Sequence, residues 1–438
     1  MSDNQLNIND SYIIFSGLFR FNANNIDKKR LFSSYTSWKY RVFDGSYKAT
    51  FGFLRQCYYD TYLINSFPEI VNDNAETIFN KHTLNHYTHK DYLEKSKNHS
   101  YKINCLNGKE YDFKIDFADI YLFPYNIGII SFKCILNNNY NCDDISNFIY
   151  NCRFLDAKIT EINSNISLTI EDLISKTFLK NVNPLSDWVE FNPQLKSYTN
   201  IDINTKLPTN ELDALLYEIG NTAPIGSSQG GFDLSPSTDY YEKLLSTSKI
   251  SVFNNWTALV LFDTFTRIST NYPDKYNTWE YDFFNIYIHC LFMKFFLYHI
   301  NNRMCNNKKG IKETLSTKQE FADFTNNYYY SHISYKFLPN HLRDQLIEAL
   351  DINYEIERME VKIRRINEQA DEKRENTTNL ILIVIGLLSV FCMIYDTSCW
   401  LVDMGISDKF VFPSLSLVMS LVIIISIIGL LVFKNKQK

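Results

Sequence analysis

Glu372, Asn379, Gly386 and Met393 stand seven residues apart, with Asn376, Ser389 and Asp396 at neighbouring positions of the same register. On a helix, a seven-residue repeat holds side chains on one side. These residues include nearly all the polar or small positions in and around an apolar run, Leu380-Ile-Leu-Ile-Val-Ile-Gly-Leu-Leu-Ser-Val-Phe-Cys-Met-Ile-Tyr395. Polar groups in hydrocarbon are costly unless they face protein or water. In a symmetric assembly, a ring of Asn379 amides would offer oxygens to a hydrated cation, and rings of Glu372 and Asp396 would concentrate cations at each mouth. Leu382 and Ile383 could close such a path by dewetting. The alternative use of the stripe is helix–helix packing through small side chains.

Three other groups could bind something. His82, His86 and His89 are spaced i, i+4, i+7, with Asp91 nearby. On a helix they would share a face and suit zinc or nickel, although no HExxH is present and three exposed histidines fit the same spacing. Arg153, in Asn151-Cys-Arg-Phe-Leu155, could clamp a phosphate or carboxylate, or form a plain surface ion pair. The stretch Tyr217 to Phe232 holds Gly220, Gly226, Gly230, Gly231 and Pro224. It is expected to be a long flexible loop whose backbone N–H groups could approach an anion. Arg153, Gly226, Gly230 and Gly231 are therefore the ligand-sensing candidates. No Lys-Ser/Thr follows these glycines, no GxGxxG is present, and no Ser/His/Asp arrangement is visible, so no enzyme is expected.

The elements that must position these residues begin at the membrane. Twenty residues without a formal charge lie between Glu375 and Asp396, and twenty-four more run from Phe410 to Phe433. About 20 apolar residues cross the hydrocarbon of a bilayer. The expectation is a transmembrane hairpin, 376–396 and 410–433, joined by an outer loop 397–409 and followed by a basic tail 434–438. Lys362, Arg364, Arg365, Lys373 and Arg374 precede the first span, and Lys434, Lys436 and Lys438 follow the second. The positive-inside rule places both termini in the cytoplasm. The polar start, Met1-Ser-Asp-Asn-Gln5, leaves insertion to the hairpin. A net charge of −5 gives no footprint for nucleic acid. Nine scattered cysteines without a CxxC pair fit a reduced compartment.

Upstream, residues 1–240 are expected to form a cytosolic α/β domain. Tyr12–Phe15, Leu18–Phe21, Tyr111–Phe117, Ile120–Phe123 and Ile127–Leu136 have strand character, with a hairpin turn at Pro124-Tyr-Asn126 and a helix from Asp143 to Tyr150. Strand, strand, helix suggests a ferredoxin-like unit near 111–160. Residues 241–375 are expected to be helical: Ala258–Ile268, Tyr276–Arg303, Lys318–Tyr330, and a stalk 340–375. Ile352, Ile356, Met359, Ile363, Ile366 and Ala370 step 4-3-4-3-4, a period of 3.5 that marks helices packed side by side. Pro339 opens this element, which is expected to run unbroken from Asn340 to Tyr395, either as an oligomerising stalk or folded against its own domain.

Two aromatic-rich helices, a very long helix entering a first span, a short loop, a second span and the tail Lys434-Asn-Lys-Gln-Lys438 follow one another from about residue 276. In this order the chain resembles the CorA superfamily of magnesium channels. The resemblance implies an α+β cytosolic domain, a long helical stalk and two transmembrane helices in an oligomeric funnel. It further implies a homopentamer in the bacterial inner membrane, with the first span lining the pore and Mg²⁺ or another divalent cation passing through. The family's Gly-Met-Asn is absent: the position has Met393-Ile-Tyr-Asp-Thr-Ser-Cys-Trp400. That departure, with the longer cytosolic part, is similar to the CorA-like proteins found with type III CRISPR systems. Those are taken to be antiviral membrane effectors opened by a nucleotide second messenger such as an S-adenosylmethionine–AMP conjugate. A Mg²⁺ transporter with an altered mouth and a membrane-tethered scaffold are the other readings.

Overall fold

The computed structural model describes residues 6–22, 38–40, 84–93, 99–136, 140–180, 194–230, 235–275, 277–306, 311–334, 336–405, 418 and 422. The chain divides into two units, Met1–Ile356 and Glu357–Lys438. The second expected span lies outside the described residues except for Val418 and Val422, both helical. The basic tail, His82 and Gly231 lie outside them as well.

Among the described residues, the first unit is built on one twelve-stranded sheet. Its strands are β1 (Ile8–Arg20), β2 (Trp38–Tyr40), β3 (Asn85–His89), β4 (Ser100–Asn104), β5 (Glu110–Phe123), β6 (Ile127–Leu136), β7 (Lys158–Glu161), β8 (Ser167–Thr169), β9 (Lys196–Ile203), β10 (Lys249–Phe253), β11 (Trp256–Val260) and β12 (Thr264–Thr270). The main order is β10-β11-β12-β9-β1-β6-β5-β4-β7-β8, and β2 pairs with β3, which pairs with the far end of β5. Among the described residues every pairing of these strands is antiparallel except β9 with β12. Among the described residues the longer helices are α1 (Cys142–Cys152), α2 (Thr209–Gly220), α3 (Thr238–Ser248), α4 (Phe284–Asn306), α5 (Ile311–Asn327), α6 (Phe337–Ala349) and α7 (Ile352–Asp403). A π-helical turn, Thr278–Phe283, leads into α4.

Central strands covered on both faces read as nearly continuous apolar runs. Strand β6, Ile-Gly-Ile-Ile-Ser-Phe-Lys-Cys-Ile-Leu, is buried at all but one position. On one face Phe15 meets Phe148 of α1 with ring centroids 6.0 Å apart. On the other face Tyr198 of β9 meets Phe284 at 5.2 Å and Tyr287 at 5.5 Å. Helix α4 is apolar all round, as a helix between layers must be. Helix α1 begins as its carboxylates suggest: Asp144 N–H donates to Asn141 Oδ1 at 2.9 Å, and Asn141 N–H donates to Asp144 Oδ2 at 3.2 Å.

Several expectations are corrected. The paired short strands at 12–21 and at 111–123 are each one strand, the second with a register shift between Ile115 and Phe117. The strand–strand–helix run expected near 111–160 is present as β5, β6 and α1, and the strands β9-β1-β6-β5 lie side by side with every neighbour antiparallel. Ala258–Ile268 is not a helix but parts of β11 and β12, so the sheet extends past residue 240 into the expected helical region. Thr257, Val260, Thr264, Phe265, Thr266 and Ile268 are β-branched or aromatic and buried, which suits a pleated interior. The long helix does not start at Asn340. Helix α6 ends at Ala349, and Asp351 takes a left-handed conformation at φ 54° before α7 begins. Aspartate tolerates that region better than most residues, so the break needs neither glycine nor proline.

This packing has two measurable consequences. The Phe19 ring lies directly over Gly128, and a Cβ there would sit 2.3 Å from Phe19 Cζ. Gly128→Ala should lower unfolding free energy by about 1–3 kcal/mol in denaturant titrations. Asp282, 2% exposed, has its carboxyl pushed up to about 8, chiefly by burial and then by the charge of Asp274, with Lys336 opposing. From about pH 4 to 8 the folded state holds a proton that the unfolded chain has released, so this group makes stability fall as pH rises. Asp282→Asn should flatten that fall, read as a gain over wild type that is larger at pH 8 than at pH 5.

Candidate functional site

The candidate pore residues lie on α7, which extends 52 residues without interruption. At 1.5 Å per residue it is about 78 Å long. Its register residues Ile352, Ile356 and Met359 are buried, and Ile363 and Ile366 are half-buried. Among the described residues, two helical segments are long and apolar enough to cross a membrane. In Thr278–Met304, 89% of the most apolar window is buried inside the fold. In Arg374–Asp403, with mean hydropathy 2.4, none of it is. The helix that holds the expected first span continues through Thr397–Asp403, where an outer loop was expected.

Along this helix Glu372, Asn376, Asn379, Gly386, Ser389, Met393 and Asp396 are all exposed. A straight helix drifts only ~20° per heptad, so Glu372 and Met393 stay on one side. Ser389, Met393 and Asp396 share an open depression of about 570 Å³. The hydroxyls of Ser389, Thr397 and Ser398 donate to the carbonyls of Ile385, Met393 and Ile394 at 3.0, 2.6 and 2.7 Å. Satisfied in this way, they can face lipid. An Asn amide can return one N–H to such a carbonyl, as Asn285 does to Tyr281, but keeps its oxygen, and an Asp carboxylate only accepts, so Asn376, Asn379 and Asp396 carry the stronger demand for water or a partner helix.

In the first unit, Arg153 is the C-cap of α1. Its guanidinium lies 5.3 Å from the Tyr150 ring centroid and 5.4 Å from that of Phe154. Its Nε is buried without a hydrogen-bond partner. Arg153 lines a cleft of about 380 Å³ with Asn221 at the end of α2, Tyr240 and Ser248 on α3, and Phe262 and Asp263 in the β11–β12 turn. Tyr240, Leu244 and Ser248 come from one helical face at i, i+4, i+8. That spacing is visible in the sequence; the turn and Asn221 carry no such signal and reach the cleft only through the fold.

The other expected sites are not assembled. The Gly-rich stretch is a laced turn. Gly226 and Gly230 take φ 91° and 92°, and Ser227–Gln229 forms one 3₁₀ turn between them. Ile225 N–H donates to Asp143 Oδ1 at 3.2 Å, and Ser228 N–H and Oγ donate to Glu218 Oε1 at 3.0 and 2.5 Å. Two carboxylates already occupy these donors, which opposes a phosphate in the same place. His86 and His89 fall on β3 rather than a helix and, an odd number of residues apart, point to opposite faces. His86 Nε2 pairs with Asp119 at 2.8 Å and its ring stacks on Tyr121, while His89 packs edge-on against Trp38 and Tyr92. Among the described residues no cluster of three His, Cys, Asp or Glu could hold a metal.

No protein-family model matches the chain, and no curated protein matches it. The histidine geometry leads to a direct check. His86→Ala should cost about 1–3 kcal/mol of stability by depriving buried Asp119 of a partner, and should leave any Zn²⁺ or Ni²⁺ binding unchanged in an equilibrium titration.

Proposed function

We propose that this chain is the protomer of an oligomeric CorA-like ion channel, a pentamer, held in the cytoplasmic membrane by α7 and the 410–433 run. The observation that carries the proposal is the uninterrupted helix Ile352–Asp403, whose apolar part lies exposed. Eleven Leu, Ile, Val and Phe lie between Leu380 and Tyr395. At roughly 0.3–0.6 kcal/mol each near the bilayer centre, they favour insertion by about 3–7 kcal/mol. In water the same surface would be an aggregation site. The polar register on this helix supports a pore over a plain tether. Glu372 and Asp396 supply charge at the two ends, and Asn376 and Asn379 supply amide oxygens near the cytosolic mouth.

The first unit supports gating from the cytosol. It contains a cleft with an arginine and exposed aromatic rings, a combination that suits a signalling nucleotide. With no Gly-Met-Asn at the outer mouth, the resemblance to effectors of type III CRISPR defence is the preferred reading over a Mg²⁺ transporter. A messenger opens such a channel only through unequal affinity for its two states.

Ion flux into liposomes containing the purified protein tests this reading. Flux is expected only with a nucleotide messenger. Asn379→Leu should reduce it about tenfold or more, whereas Ser389→Ala should leave it within about twofold. Mg²⁺ uptake without any messenger would favour the transporter. Absence of flux under every condition would leave a tethered scaffold.

A further inference from the structure

The β11–β12 turn stands between the Arg153 cleft and the joint where α6 gives way to α7. Phe262 of this turn lines the cleft. Two ammonium groups lie against its ring, Lys196 Nζ at 4.4 Å and Lys294 Nζ at 5.1 Å from the centroid. Lys196 is also paired with Asp263. Lys294 is paired with Glu355, in the first turn of α7, at 2.5 Å. A second wall reaches the same joint: Ala349, the last residue of α6, lines the cleft, and Asp351 holds its left-handed conformation two residues on.

We infer that this cleft is an effector site for a ligand that joins a planar ring to an anionic group, one mononucleotide in size, and that its occupant acts on the α6–α7 joint through Phe262, Lys294 and Ala349. The inference rests on the gated-channel reading and deepens it.

Three observations specify the ligand. Arg153 presents a cation whose Nε is buried without a partner, and a phosphate or carboxylate completes such a group with charge-assisted bonds. The charge of Asp263, which would repel an anion, is offset by Lys196. The C-terminal ends of α1, α2, α3 and α6 also meet here. Each adds up to about half a negative charge in its last turn, about two in sum, which works against an anion and leaves its binding to direct contact with the Arg153 guanidinium. Tyr240 and Phe262 are 53% and 46% exposed at the rim and supply aromatic surface for stacking, at Phe262 in competition with its ammonium neighbours. A volume of about 380 Å³ admits one nucleotide unit and excludes an oligonucleotide.

The same residues connect occupancy to α7. A ring stacked on Phe262 takes a face from one of its two ammonium groups. Lys294 is then held by Glu355 alone, and the contact at Ala349 tightens beside the strained Asp351. A left-handed non-glycine residue stores strain of the size that a small ligand can supply or release.

The test is calorimetric titration of AMP, adenosine and inorganic phosphate into the full-length protein in detergent, followed by liposome flux with the S-adenosylmethionine–AMP conjugate. AMP should bind more tightly than either fragment. Arg153→Gln and Tyr240→Ala should weaken it about tenfold or more, and Tyr240→Phe should retain it. Glu355→Gln should leave AMP affinity within about threefold and still reduce messenger-driven flux about tenfold. Absence of AMP binding below about 1 mM, or affinity indifferent to Arg153 and Tyr240, would overturn the site. Normal gating in Glu355→Gln would overturn its link to α7. Binding that matches the expected pattern in a protein that never conducts would instead remove the channel reading and leave the site standing.

Discussion

One half-buried carboxylate, Asp274, starts the helix that closes the second face of the sheet. It accepts the N–H groups of Thr278, Trp279 and Glu280 at 2.8, 2.9 and 3.1 Å, together with the Tyr12 hydroxyl at 3.4 Å. Those amides are the orphan donors of a helix start, which a buried helix must satisfy internally. Beside it Arg267, fully buried, donates to Asn200 Oδ1 and to the Tyr272 carbonyl, and lies 4.8 Å from the Trp279 ring centroid. Lys133 of β6 reaches Glu280 at 2.7 Å. Burial still pushes the Asp274 carboxyl upward, more strongly than its N–H donors and Arg267 pull it down.

This network determines where α4 lies, and α4 in turn positions the β11–β12 turn, α5 and the start of α7. Its ring ladder runs from Tyr198 and Phe265 under Tyr287 to Phe292 and Phe296 against Phe324 of α5. Lys294, on the same helix, holds both the Phe262 ring and the first turn of α7. Orientation of the helix start by Asp274 is thus a condition for the contact between the β11–β12 turn and α7. Such a contact could not be built on a helix free to slide over an apolar surface, because dispersion and burial alone are non-directional.

Two apolar helices of similar length meet opposite fates in this chain. Thr278–Met304 is buried among aromatic neighbours, whereas Arg374–Asp403 has none of its apolar window covered. Hydropathy separates them only in degree, 1.3 against 2.4. The difference lies in the neighbours: the first has the sheet and two helices to cover it, and for the second an apolar solvent is the simplest cover.

Much of the central sheet was legible in the residues themselves. Strand β6 and the turn before it are local properties, as are the capped start of α1 and the apolar register of α7, because each depends on propensity and periodicity within a few residues. The continuity of α7 into the apolar run was equally legible, since nothing there breaks a helix. The direction of β1 against β6, the assignment of Ala258–Ile268 to strands and the break at Asp351 were settled by partners distant in sequence. A short buried run is equally apolar as helix or strand, and only the neighbouring strand decides. The candidate sites divide in the same way. The Asn379 register is written along one helix and needs no fold to be seen. The histidine spacing promised a shared face that a strand denies, and the glycine-rich turn spends its donors on Asp143 and Glu218. The cleft gathers Arg153, Asn221, Tyr240 and Phe262 from four separate segments, because only folding brings side chains so far apart in the chain to one surface.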